Sequence, residues 1–500
     1  MTGGITHYPR ETRTALIIGT GMGGLTAAAL LLKAGWRVIV LEAQTYPGGC
    51  AGTFYHRGYR FDAGATLAGG FEPAGPHTRL AETLGLTWPV QPLDPAWVVH
   101  LDGHQIHQWA TREAWREERA RHFAAGESFW QTQERLADVA WRISQRHFPW
   151  PPLTFNDIVA LARAATPAVI GAAPMAFRSV AHLLPRSASP QLRVFLDAQL
   201  LISAQTTAGS ANALYGCAAL DLPRRGVCYV QGGMGNLAQT LVTWIRAHGG
   251  EVHYRHPVER VVVRNGRAVA VVTKAGAIFE ADVILANVTP WSLHQLLNGA
   301  VPPGLRRDVQ HRPPTWGAFT LYVGVRAEAL PPHTPTHHQV ILDPGAPLGE
   351  GNSVFISISP ADDPTRAPAG MRALTLSTHT AVAPWWQLDP EAYLRRSEAY
   401  TQRLLEALEV VFPGIKSALH LCLPGTPRTF AFYTRRWRGV VGGFPQTSLW
   451  QARGPQTGLS NLWLVGDSVF PGQSTAGVIL GAARVVAHLL GKPTLLQAKV

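Results

Sequence analysis

The chain has 500 residues, 46% of them hydrophobic and only 15% charged, with 44 Lys and Arg against 32 Asp and Glu for a formal charge of +12. That length is too great for one compact core, so two intertwined units are expected, and the hydrophobic fraction is ordinary for a soluble globule. The basic balance favours anionic partners, but no compact Lys/Arg block appears, which sets nucleic acid below an acidic membrane surface or a plainly solvated one.

Residues 1–13 are polar and lack an apolar signal core, so export is not expected. Ala15-Leu16-Ile17-Ile18 is a short apolar run of buried-strand type. Gly19-Thr20-Gly21-Met22-Gly23-Gly24 follows, and then a helix pattern of Leu25, Ala28, Ala29 and Leu32 that stops at Gly35. The next strand, Val38-Ile39-Val40-Leu41, ends on Glu42. In that setting Gly19, Gly21 and Gly24 allow a tight turn whose N–H groups approach a pyrophosphate at a helix N-terminus. Glu42, at the offset of a ribose-binding acid, would accept from ribose hydroxyls and repel a 2′-phosphate. The stretch predicts a dinucleotide site. Gly48-Gly49, just beyond it, offers backbone that can lie against a cofactor without side-chain obstruction.

Residues 76–225 are helical in tendency, aromatic, and rich in Arg and His. Within them an apolar run, 164–177, is bracketed by Arg163 and Arg178 and broken by Pro167 and Pro174. Two short helices are expected there, as an interfacial patch or as a buried layer with snorkelling ends. Residues 198–220 carry no charge, yet Gln199, Ser203, Gln205 and Asn212 argue against a spanning helix, so any membrane contact is peripheral. Near Tyr229 the α/β pattern returns. Gly232, Gly233 and Gly235 lead into a helix but no acid-tipped strand follows, so they read as packing turns. Strands are expected at 258–263, 268–273, 278–281 and 283–287.

Residues 296–440 alternate strand-like stretches (319–325, 353–358, 373–377) with Pro-rich loops, and 390–411 has helical spacing. His333, His337 and His338 read as a loop among prolines, without the carboxylate or rigid element a metal would need. Cys50, Cys217, Cys228 and Cys422 form no CxxC pair, which fits reduced thiols in a cytosolic protein and no metal. Finally, Leu462-Trp463-Leu464-Val465 reads as a strand ending in Gly466-Asp467, and a helix runs from Ala476 with Gly477 at its start. That carboxylate would accept from a ribityl hydroxyl, and the helix dipole would steady a negatively charged isoalloxazine.

Taken together, these residues resemble FAD-dependent carotenoid desaturases and isomerases of the phytoene-desaturase type. The likeness is most specific in Gly19-x-Gly21-x-x-Gly24 through Glu42, in Gly48-Gly49, in residues 58–66, and in Gly466-Asp467 through Gly477-Val478. It implies an α/β chain in which 12–75, 226–295 and 441–492 form a discontinuous Rossmann-like FAD-binding domain. The interleaved α+β substrate domain is then 76–225 and 296–440. By the same resemblance FAD is held by Gly19, Gly21, Gly24, Glu42, Gly48, Gly49, Ala65, Thr66, Val258, Gly466, Asp467, Gly477 and Val478. NAD would suit the first motif alone, and the C-terminal Gly-Asp unit tips the choice to FAD. Residues 61–73, 426–430 and 439–443 resemble the subgroup that desaturates the 3,4 position of an already conjugated, often hydroxylated carotene end. They are also similar to cis–trans carotene isomerases, which use reduced FAD. Cys50 stands where many flavin amine oxidases and bacterial phytoene desaturases carry Arg, which points away from both.

A carotene offers no acid, base or leaving group, so the implied chemistry is hydride transfer from an allylic carbon to the flavin, then proton loss, inside a long apolar tunnel. Asp62 and Arg428 are the catalytic candidates, each weighed against the commoner structural role of charged motif residues. The base and the electron acceptor are left unassigned. The implied partners are a hydrophobic polyene and, peripherally, lipid on the cytoplasmic face of the membrane. A flavin-free prenyl carrier of the same fold is the rival from another class, and the intact glycine loop argues against it.

Overall fold

The structure is a computed structural model that describes residues 13–145, 150–152, 155–312, 316–492 and 495–496. Five short apolar strands form a parallel sheet in the order Leu462–Leu464, Val283–Ala286, Thr14–Ile18, Arg37–Leu41 and Glu251–His253. Both faces of this sheet are covered, so its strands read as continuous hydrophobic runs rather than alternating ones. Helices Met22–Lys33, Gly235–Ala247 and Thr475–Leu490 close one face. Helix Met22–Lys33 is buried from Met22 to Leu31, which explains why Ala27, Ala28 and Ala29 fill its middle. The other face packs on an antiparallel three-stranded sheet, Val258–Arg264, Arg267–Thr273 and Ile278–Glu280.

A second, seven-stranded sheet runs in the order Leu419–Gly425, Gly317–Arg326, Met371–Thr380, Ser353–Ile358, His337–Ile341, Val98–Leu101 and His104–His107. All its pairs are antiparallel except His337–Ile341 with Val98–Leu101. Helix Pro390–Val411 lies on one face. It starts where Asp389 accepts from Ala392 N at 2.7 Å and Pro390 takes the first helical position, and it buries Ser397, Tyr400, Leu404, Leu405 and Leu408. Helix Pro190–Ala204 covers part of the opposite side, with Phe195 and Leu196 against Val99 and Ile106.

Two expectations fail here. His337 and His338 do not lie in a loop. They begin a fully buried strand, with His338 Nδ1 3.1 Å from His100 Nε2, and burial lowers their pKa values to about 4 and about 3. The helical reading of 76–225 also overlooks the hairpin Val98–Leu101/His104–His107, which the seven-stranded sheet recruits at its edge. Elsewhere, 155–177 forms helices Phe155–Ala164 and Pro167–Ala172 and a 3₁₀ turn, Ala173–Phe177. Among the described residues no single helix is long and apolar enough to cross a membrane; only Asp157–Arg163 taken with Pro167–Phe177, bent by 109°, reaches that length and apolarity.

Candidate cofactor and substrate cavity

The C-terminal ends of the parallel strands open onto one cavity of about 760 Å³. Gly19 has φ +92°, in the left-handed region, and its N–H donates to Leu41 O at 2.8 Å, so the first turn is pinned to the neighbouring strand. Gly21 then caps helix Met22–Lys33. A Cβ on Gly21 would lie 2.4 Å from Asn287 Nδ2, and one on Gly23 would lie 3.1 Å from Gly466 Cα. Three loops therefore meet at the helix N-terminus, the Gly466 loop on bare backbone and the Asn287 loop through its side-chain amide. Gly48, at φ +114°, brings in a fourth: its N–H donates to Thr20 O at 3.0 Å, and it pairs with Gly21 as a parallel bridge. A diphosphate needs such a cradle of N–H groups at a helix N-terminus, free of side chains.

Glu42 is buried at the cavity edge. One of its oxygens accepts from Thr20 N at 2.8 Å and from the Thr20 hydroxyl, the other from Gln44 N at 2.8 Å. The carboxylate thus braces the glycine turn while facing the cavity, where its remaining lone pairs suit a ribose. Val258, Cys50, Ala65, Thr66, Gly49, Gly466, Asp467 and Val478 line the same cavity. Thr66 Oγ1 accepts from Ser357 Oγ at 2.6 Å, and Asp467 Oδ2 pairs with Arg436 Nη2 at 2.9 Å. Gly24 and Gly477 stand behind the lining: their Cβ atoms would meet Gly19 O and Gly472 O at 2.5 and 2.6 Å. The residues present fit an elongated dinucleotide running from Glu42 to Asp467.

Beyond Asp467 the cavity continues as a chamber with apolar walls, among them Trp97, Phe355, Leu220 and Pro223. Polar side chains interrupt them. Gln199 accepts from Trp97 Nε1 at 3.1 Å and donates to Gln339 Oε1 at 2.6 Å. Gln205 Nε2 lies 3.2 Å from His379 Nε2, so the amide donates to the ring and the imidazole proton sits on Nδ1. Burial lowers the His379 pKa to about 4, and the ring is neutral at ordinary pH. Gln108 Oε1 and Gln205 Oε1 are buried without a hydrogen-bond partner among the described residues. Sequence reasoning assigned no role to Gln108, Gln205, Asn287, His379 or Arg436.

Asp62 and Arg428 lie outside the cavity. Asp62 accepts from Thr53 Oγ1 at 2.6 Å, Met234 N at 2.8 Å and Arg366 Nη2 at 2.9 Å, so its carboxylate has no access to a ligand. Gly233 and Gly235 make room for that network; a Cβ on Gly233 would sit 2.5 Å from Thr53 Oγ1. Arg428 donates to the carbonyls of Trp385 and Leu388, both at 2.8 Å, and lies over the Tyr393 ring. Neither candidate lines the cavity, and the partners that engage their charge come from remote parts of the chain.

The family model described as flavin containing amine oxidoreductase matches residues 22–490. The chain is 30% identical over 507 residues to a chloroplastic prolycopene isomerase of Arabidopsis thaliana, covering 95% of this chain and 83% of that protein. It is 26% identical over 507 residues to a neurosporene-forming phytoene desaturase of Cereibacter sphaeroides, covering 95% and 94%. Among solved structures, an oxidoreductase from Methanosarcina mazei superposes with a TM-score of 0.64 at 18% identity, over 96% of this chain and 100% of that one.

Proposed function

This chain belongs to the flavin-containing amine oxidoreductases, in their carotenoid desaturase and isomerase branch, and from that premise we propose that it desaturates the 3,4 position of an acyclic, hydroxylated carotenoid end. When bound, FAD supplies the hydride acceptor that a carotene's C–H bonds require. The chain's own part is to exclude water with Trp97, Phe355 and Leu220, and to hold the polyene in one register.

The observation that carries this reading is the pair of unpartnered carboxamide oxygens on Gln108 and Gln205. Both side chains line the cavity, so a hydroxylated end can hydrogen-bond to a carboxamide that turns its oxygen inward, whereas a pure hydrocarbon leaves both oxygens unsatisfied at roughly 1–3 kcal/mol each. Replacing both with Leu should therefore lower turnover of a hydroxylated carotenoid about tenfold and spare its hydrocarbon counterpart, which competition between the two pigments measures. Equal losses on both substrates would remove the support.

Isomerisation in the same chamber, with no net oxidation, is the second reading, and the likeness to prolycopene isomerase favours it. Expression in carotenoid-producing cells separates the two. Desaturation yields a red-shifted pigment lighter by two hydrogens; isomerisation leaves the mass unchanged.

Such a polyene resides in lipid, and peripheral binding at the cytoplasmic face of a membrane belongs to the same reading. Its support is the exposed set Phe155 (78%), Phe177 (73%), Ile158 and Ile170, beside exposed Arg163 and Arg178. The variant Phe155→Ser/Phe177→Ser should lose most of its flotation with anionic liposomes. Undiminished flotation, or none from the unaltered protein, would remove this part of the proposal.

A further inference from the structure

Cys50 is neutral where it lines the cavity, beside the bridge that Gly48 makes with the glycine turn. The side chain next to it is not. Arg436 follows helix Pro427–Thr434 and lies close enough to Cys50 for its guanidinium to pull the thiol pKa down against the burial that raises it. Backbone holds that guanidinium in place: Nε donates to Val440 O at 2.6 Å and Nη2 to Gly442 O at 2.7 Å, while Nη2 also pairs with Asp467. Nη1 has no hydrogen-bond partner among the described residues, and Arg436 lines the cavity. The other two Lys or Arg residues on the lining are placed differently. Arg435 turns its guanidinium over the Phe432 ring, and Lys274 sits in the turn after strand Arg267–Thr273, its N–H donating to Pro257 O at the Glu42 end.

Resting on the reading that this cavity binds FAD, we propose that Arg436 is the cation that binds the cofactor's anionic diphosphate, through the guanidinium edge that its backbone and Asp467 contacts leave free. A planar guanidinium can meet two carbonyls, one carboxylate and one anion at once, because its five donors point in fixed directions. The helix N-terminus beside Gly21 supplies only partial positive charge, so a full charge at this point adds a charge-assisted hydrogen bond that the glycine cradle lacks.

The test follows FAD release from purified holoprotein after dilution, by recovery of flavin fluorescence. Arg436→Gln should release FAD about tenfold faster than the unaltered protein, the loss of one charge-assisted contact. That substitution also removes the bonds to Val440 and Gly442, so a second variant separates charge from scaffolding. Cys50→Arg/Arg436→Gln returns a cation to the same corner without restoring those bonds, and its release should fall to within about threefold of the unaltered protein. Release from Arg436→Gln within about twofold of normal overturns the proposal. So does a double variant that is folded by circular dichroism yet releases FAD as fast as Arg436→Gln. Should Arg436→Gln not fold, Arg436→Lys decides: it keeps the charge but loses the free guanidinium edge, so release must quicken at least about threefold, and release within about twofold of normal overturns the assignment. A protein purified without any flavin would instead overturn the FAD reading itself, before any variant is made.

Discussion

Gly24→Val is expected to purify with less than about a tenth of the normal flavin, a loss of at least ~1.4 kcal/mol in binding. A Cβ at position 24 would lie 2.5 Å from Gly19 O and 3.0 Å from the Asn287 Cβ. The first of these contacts is backbone and cannot rotate away. Gly19 itself is fixed at φ +92° by its hydrogen bond to Leu41 O, so the strain passes into the turn that presents N–H groups to the diphosphate. Gly21→Val meets chiefly the Asn287 amide, the end of a side chain that can move, and should lose less. Gly304→Ala, with nothing within 4 Å of the added Cβ, should keep its full flavin. The ratio of flavin to protein absorbance after gel filtration reads all three. Full flavin in Gly24→Val would mean that the turn does not hold the cofactor.

Why that turn was legible in the sequence, while other parts of the site were not, follows from the range of the interactions. Strand, glycine turn, helix and second strand are contiguous, and the pattern that marks them lies wholly within the stretch 14–42. The strand that ends in Gly466-Asp467 is legible for the same reason. Arg436 carries no such local mark. It looks like half of an Arg-Arg doublet until the fold sets it against Asp467 and Cys50. Gln108 and Gln205 are ordinary polar residues in sequence, and only burial without a partner singles them out. His337 and His338 mislead in another way: prolines precede them, and a strand buried on both faces has no alternation to reveal it.

Asp62→Ala should lower stability by ~3–5 kcal/mol, the cost of leaving one member of a buried ion pair alone. The Asp62 and Arg366 side chains are each only 5% exposed, and they meet at 2.9 Å across 304 positions of sequence. With the carboxylate gone, Arg366 keeps its bonds to Arg60 O and Tyr229 Oη, at 3.0 and 3.1 Å, but loses the anion that balances its charge. Met234 N and the Thr53 hydroxyl lose an acceptor as well. Native chains have only ~5–15 kcal/mol in hand, so the denaturation midpoint should drop steeply. Asp62→Leu/Arg366→Met removes both charges together and should recover much of that loss, since an apolar pair of similar volume replaces an ion pair at little cost. Turnover per bound flavin should stay near normal in whatever fraction of Asp62→Ala remains folded. An unchanged midpoint with abolished turnover would reverse the assignment and make Asp62 a participant in the chemistry.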